Sequence, residues 1–135
     1  MKRLTPNMAV ENVEKSVKFY TEILGFKVVL AVSEDKSYIG DEIKDGISYV
    51  WANVMFGEVG FMFQREDSFE ADIAPVRDIG ASASFYIEVE NIEALYSSIK
   101  GKVEIIKELN TVWYGAKEFY IKDINGYILG FSQRV

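Results

Sequence analysis

The sequence predicts an α+β fold of two tandem βαβββ modules, whose curved mixed sheets surround a cleft and carry helices on their outer face. Three observations lead there. Val10-Glu11-Asn12-Val13-Glu14 reappears as Val89-Glu90-Asn91-Ile92-Glu93, 79 residues later, and each copy joins an alternating apolar stretch to one of helical spacing. The tails of the halves also correspond. Gly57 precedes Val59-Gly60-Phe61-Met62-Phe63-Gln64-Arg65 as Gly126 precedes Ile128-Leu129-Gly130-Phe131-Ser132-Gln133-Arg134. Finally, 135 residues that are 49% hydrophobic and 14% aromatic can bury a sizeable core, which excludes disordered and low-complexity classes.

Each element follows from a local signal. Alternation predicts a first strand over 4–10. Asn12 is placed as an N-cap with Glu14 in the first turn, where a carboxylate suits the helix dipole. Val13, Val17, Tyr20 and Leu24 then recur at helical spacing until Gly25 closes the helix. Strands follow at 26–33, 47–56 and 59–66. The shared Gln-Arg ending gives the tails an offset of 69, so about ten extra residues belong to the first half, and the charged stretch 33–46 is the natural place for them. Residues 67–80, with Pro75 and mixed charge, read as a linker. The second module repeats the plan: a strand at 82–90, Asn91 as N-cap, a helix on Ile92, Leu95, Tyr96 and Ile99 closed by Gly101, then strands at 102–108, 116–122 and 127–134. Asn125-Gly126 reads as a tight turn. The expected organisation is thus a module at 1–66, a linker at 67–80 and a module at 81–135, together one compact domain.

Strand alternation assigns side chains to faces. Met8 and Val10, with Leu4, belong to an aliphatic row, as do Val50, Ala52, Val54 and Phe56, then Phe61 and Phe63, then Phe85 and Ile87, then Phe119 and Ile121. The opposite row holds Asn7, then Tyr49, Trp51, Asn53 and Met55, then Met62 and Gln64, then Ser84, Tyr86 and Glu88, then Glu118 and Tyr120. Aromatics, amides, hydroxyls and methionine in one row suit a pocket wall with a few orienting polar groups. An ordinary solvent-facing sheet would alternate too, but Trp51, Met55, Met62 and Tyr86 are costly to leave in water together.

Composition narrows the chemistry. The chain has neither cysteine nor histidine, which removes thiolate nucleophiles, disulfides, imidazole acid–base catalysis and imidazole-bound metals. Fifteen basic against 21 acidic residues leave a net charge of −6, which argues against nucleic acid or an anionic membrane and leaves room for a cationic ligand. No run reaches the ~18–20 apolar residues of a membrane span. The first residues, Met1-Lys2-Arg3-Leu4-Thr5-Pro6, lack a signal-peptide core, so the expectation is a cytoplasmic protein.

Two such modules, with Phe19-Tyr20 and Leu24-Gly25-Phe26 after the first capping sequence and Asp123-Ile124-Asn125-Gly126-Tyr127-Ile128-Leu129 near the end, resemble the vicinal oxygen chelate superfamily of glyoxalases, dioxygenases and bleomycin-resistance proteins. The resemblance covers nearly the whole chain. In the enzymes of that superfamily four strands each give a His, Gln or Glu to a divalent metal. The matching positions here are Thr5, Met62, Ser84 and Gly130, which offer no carboxylate or imidazole, so the resemblance implies no metal and no other cofactor. The chain looks most like the bleomycin-resistance branch, which binds its drug and does no chemistry. That branch implies a homodimer, strand-exchanged between chains, and a small-molecule ligand that is cationic and aromatic. The residues expected to contact it are Asn7, Trp51, Asn53, Met62, Ser84, Tyr86, Tyr114, Glu118 and Tyr120, with Trp51 and the tyrosines stacking and the polar groups orienting. No catalytic residue is expected. The competing reading is a metal-dependent lyase, isomerase or dioxygenase of the glyoxalase type with displaced ligands, for which Glu58, Glu88 and Glu118 would have to converge.

Overall fold

The computed structural model describes residues 2–76, 78–80 and 82–135. Met1, Arg77 and Ala81, which open the expected first module, fall in the expected linker and open the expected second module, lie outside the described residues. The chain divides into two compact units, Met1–Ile79 and Gly80–Val135, and the fold is α+β with one mixed sheet in each.

In the first unit, strands β1 (Asn7–Val10), β2 (Lys27–Ser33), β3 (Ile39–Gly40), β4 (Tyr49–Phe56) and β5 (Val59–Arg65) form a sheet in the order β1-β5-β4-β2-β3. β1 runs parallel to β5, and the other pairs are antiparallel. Helix α1 (Val13–Lys18) starts at Asn12, whose side chain accepts from the Lys15 amide at 2.8 Å. It runs on into a π-helical turn over Phe19–Ile23, and Gly25 ends it in the left-handed region at φ 81°. Val13, Val17, Tyr20 and Leu24 are all buried, as their spacing predicts. The Tyr20 ring is the centre of the core, with its centroid 4.8 Å from Phe63, 5.4 Å from Phe61 and 5.5 Å from Phe26.

The second unit repeats the plan with β6 (Ser84–Glu88), β7 (Glu104–Val112), β8 (Ala116–Lys122) and β9 (Ile128–Arg134) in the order β6-β9-β8-β7. Helix α3 (Ile92–Ile99) is capped by Asn91, which accepts from the Ala94 amide at 3.0 Å, while Gln133 Oε1 accepts from the Ile92 amide at 2.9 Å. Phe119 stacks on Phe131 at 4.9 Å and meets Tyr96 edge-on at 5.1 Å. Asp123 shapes the β8–β9 turn, its carboxylate accepting from the amides of Asn125 and Tyr127, with Gly126 at φ 88°.

The strand register refines the internal repeat. Asn7 pairs with Met62, and Tyr86 pairs with Gly130. Tyr86 follows Asn7 by 79 residues and Gly130 follows Met62 by 68, so the partner of Gln64 in the repeat is Ser132, and the Gln-Arg endings are one residue out of step. The extra length of the first half lies between β2 and β4, where β3 sits.

Other expectations need correction. Leu4 is 89% exposed, because β1 begins only at Asn7. Tyr49 belongs to the core. The register slips between Val32 and Ser33, and a bulge resets the alternation there, so Tyr49 is 1% exposed and its amide donates to the Glu14 carboxylate on α1. Phe56, at the strand end, is exposed. Residues Glu66–Asp72, the last residue read as strand and the first six read as linker, form helix α2, which packs on β5 and β1.

Candidate functional site

In each unit the helix after the first strand covers one face of the sheet, and the residues expected at the site stand on the other. In the first unit Asn7, Met62 and Asn53 form one row across β1, β5 and β4, and Gln64 pairs with Trp51 in the next. In the second unit Tyr86, Gly130 and Tyr120 form the equivalent row, with Ser132 and Glu118 paired beside it. Ser84 stands exposed at the start of β6, opposite Ile128. The repeat therefore offers the same positions twice and fills them with different chemistry.

The densest polar cluster centres on Glu118. Its side chain is 1% exposed, on the same face as three tyrosines. The Tyr86 hydroxyl donates to Glu118 Oε1 at 2.5 Å and the Tyr114 hydroxyl donates to the same oxygen at 2.6 Å. Tyr86 has one hydroxyl hydrogen, so the Ser132 Oγ at 2.7 Å donates to the Tyr86 oxygen. Tyr114 reaches back from the β7–β8 turn, where Gly115 takes φ 79°. Its neighbour Trp113 is 94% exposed and meets it edge-on at 5.2 Å. The Lys107 ammonium lies 5.8 Å above the Tyr120 ring, within cation–π range.

These contacts set the electrostatics. Burial pushes the Glu118 carboxyl up, but hydrogen bonds from Tyr114 and Tyr86, the nearby Lys107 charge and a hydrogen bond from Tyr120 outweigh it and hold the group below its ordinary value. The phenols move the opposite way. The hydrogen bond to Glu118 is the main cause that pushes Tyr114 up to about 12, and Tyr86 rises for the same reason, partly offset by Ser132. Tyr120 is raised first by burial and then by the Glu118 charge. At neutral pH the cluster is one buried carboxylate beneath protonated phenols, two of whose rings, Tyr86 and Tyr114, are exposed. Glu118 is thus a buried, ionised carboxylate, and its lowered pKa makes it a poor proton acceptor.

The residues at the enzymes' metal positions do not fit a divalent ion. Thr5, Met62 and Ser84 supply no anionic donor. At Gly130, a Cβ would stand 2.4 Å from the Tyr120 ring, so that ring fills the place where a ligand side chain would start. Among the described residues, no three Asp or Glu side chains converge on a point that could hold a metal.

Three participants are not among the residues expected to contact a ligand. Ser132 and Lys107 complete the Glu118 cluster, and Gln64 bonds Asn7 at 2.9 Å. Strand parity places Ser132 and Gln64 on the open faces; Lys107 could not be found that way, because β7 slips register on both sides of it. A separate open groove of about 690 Å³ lies on the helix side of the first unit, against α1 and residues 41–45. Its lining carries both signs of charge, including Glu14, Lys18 and Asp41, and includes none of the residues of the Asn7 row or the Glu118 cluster.

Fold and site together describe a member of a known class. The chain belongs to the Glyoxalase/Bleomycin resistance protein/Dioxygenase superfamily, whose family model matches residues 4–131. It is similar to a bleomycin resistance protein of Geobacillus stearothermophilus, 26% identical over 137 residues that cover 96% of this chain and 95% of the relative. Among solved structures, a protein of unknown function from Agrobacterium tumefaciens aligns with a TM-score of 0.73 at 19% identity, over 100% of this chain and 95% of the other. A glyoxalase/bleomycin resistance protein/dioxygenase from Nocardioides aligns with a TM-score of 0.72 at 13% identity, over 100% and 86%. Among the described residues, no helix is long and apolar enough to cross a membrane.

Proposed function

We propose that this protein binds a cationic, aromatic small molecule and holds it unchanged, in the manner of an antibiotic-sequestering protein. The observation that carries the reading is the Glu118 carboxylate, buried and ionised beneath three phenols. A phenol that donates to a carboxylate becomes richer in electron density, and its ring face becomes a better seat for a cation. Tyr86 and Tyr114 offer such faces to solvent, and Glu118 supplies the balancing charge. On the open face of the first unit Trp51 offers an aromatic ring, Asn7 and Asn53 offer amide oxygens and Met62 is apolar wall; in the second unit Tyr120 is wall beside the cluster and Ser84 is a hydroxyl at the start of β6. The poor fit to a metal and the lowered Glu118 support binding without turnover. The relatives' name supplies the first ligand to try, bleomycin, and cytoplasmic homodimers are part of the same proposal.

Isothermal titration calorimetry with bleomycin, and with benzamidinium as a minimal aromatic cation, tests the reading. Both are expected to bind with one stoichiometry per chain, and bleomycin recovered from the complex should be unaltered in mass. Glu118→Gln should weaken benzamidinium at least tenfold, about 1.4 kcal/mol. Absence of binding by either cation, or recovery of a modified drug, would sink the proposal. Sedimentation equilibrium measures the dimer.

A further inference from the structure

The open face of the first unit carries two oxygens that the protein does not satisfy. Asn7 Oδ1 and Asn53 Oδ1 are buried and have no hydrogen-bond partner among the described residues. Both residues pair with Met62, Asn7 from β1 and Asn53 from β4, so the two amides flank one methionine in a single row. Native proteins keep few buried acceptors unpaired, and each one asks for a reason.

An asparagine usually escapes such a state by turning its amide over. Asn7 is prevented from doing so by a chain of hydrogen bonds with a fixed direction. An ionised aspartate only accepts, and the Asp72 carboxylate on α2 takes a bond from Gln64 Nε2 at 2.9 Å; Ser68 Oγ takes another from the same nitrogen at 2.9 Å. That commits the Gln64 amino group to α2 and turns its oxygen towards Asn7. Asn7 must then offer its own amino group, which donates to Gln64 Oε1 at 2.9 Å. Its carbonyl oxygen is left on the far side, turned away from the relay.

We infer that the Asp72–Gln64–Asn7 relay fixes the Asn7 oxygen as an acceptor, and that Asn7 and Asn53 together form a subsite on the open face of the first unit for the N–H donors of a cation, such as an amidinium or primary ammonium. The inference deepens the functional reading above and rests on it. In this picture Asp72 is a positioning residue: it stands at the exposed end of α2 and acts through two amides.

The test compares two aromatic cations of equal charge, benzamidinium, rich in N–H donors, and benzyltrimethylammonium, which has none. Calorimetry on the wild-type protein should show benzamidinium binding about tenfold tighter. Asp72→Lys puts a donor where the acceptor stood, at an exposed position, and should turn both amides round so that Asn7 presents its amino group. The change in local charge weakens both cations alike, so the ratio between them isolates the relay, and it should fall to about one or below. Gln64→Met, which cuts the relay without adding charge, should also lower the ratio. A ratio near one in the wild type, or the same ratio in all three proteins, overturns the inference while leaving the functional reading intact, since both cations still bind. An ordered water that bonds Asn7 Oδ1 and stays in place in a benzamidinium-bound crystal structure also overturns it. Failure of both cations to bind wild-type protein overturns the functional reading itself.

Discussion

At the scale of the residue, Glu118 shows how a buried charge can be made tolerable and useful at once. An isolated carboxylate in an apolar setting would rather be neutral, yet the phenols of Tyr86 and Tyr114 keep this one ionised at a cost that falls on their own acidity. The consequences for stability have opposite signs at the two ends of the pH scale. Tyr114 holds its proton more tightly in the folded chain than in the unfolded one, so its contribution is complete below the ordinary phenol value near 10 and disappears as the pH rises towards about 12. Glu118, with its value lowered on folding, contributes above the ordinary carboxylate range and loses that contribution as the pH falls through its lowered value. Glu118→Gln removes the charge and should let Tyr114 titrate earlier. Ultraviolet absorbance of tyrosinate should show at least two phenols, Tyr114 and Tyr86, moving down towards 10 in the variant, and an unchanged titration curve would count against both bonds to Glu118. Tyr86→Phe removes one donor, and the same spectroscopy should leave Tyr114 high, because Tyr114 keeps its own bond to Glu118.

At the scale of the element, much of the structure was legible because it repeats local rules. Asn12 and Asn91 sit three residues before the amides they cap, and no tertiary information is needed to see that. Asn12→Ala should cost about 1 kcal/mol in thermal or denaturant unfolding. What was not legible depends on partners far along the chain. Tyr49 changed face because β4 carries an extra residue, Val50, against β2, and regular alternation along a strand cannot foresee a bulge that only the pairing reveals. Residues 66–72 look like solvated linker by charge, and only the contact of Ser68 and Asp72 with Gln64 shows that the helix fixes the polarity of an amide on β5. Gly130 is a middle case. Its place in the strand was readable, but its reason is the Tyr120 ring lying across it from β8. Gly130→Ala should therefore destabilise the protein by about 1–3 kcal/mol. Combining it with Tyr120→Ala should recover much of that loss, which a double-mutant cycle in denaturant unfolding measures. Additive effects would mean that the ring does not constrain the glycine.

At the scale of the whole molecule, the repeat and the net charge point the same way. Duplicated positions have diverged in opposite styles. Asn7, Trp51 and Gln64 in one unit correspond by register to Tyr86, Glu118 and Ser132 in the other, yet both versions present groups that seek a donor or a positive charge. Among the described residues, the centres of the two rows are Met62 and Gly130, neither of them a cation. A net charge of −6 adds a long-range field of the same sign, which draws cations in before any contact is made. That field is screened over about 30 Å at 0.01 M salt and about 8 Å at 0.15 M. The charge of the entire chain should therefore be felt in dilute buffer and largely lost at physiological ionic strength, whereas the buried Glu118 contact should persist. Stopped-flow association of benzamidinium should slow as salt rises over that range. Its dissociation rate should change little, because the contacts that hold it lie at the site. If salt acted mainly on dissociation, the attraction would be confined to exposed pairs at the site, and the acidity of the rest of the molecule would have no part in capture.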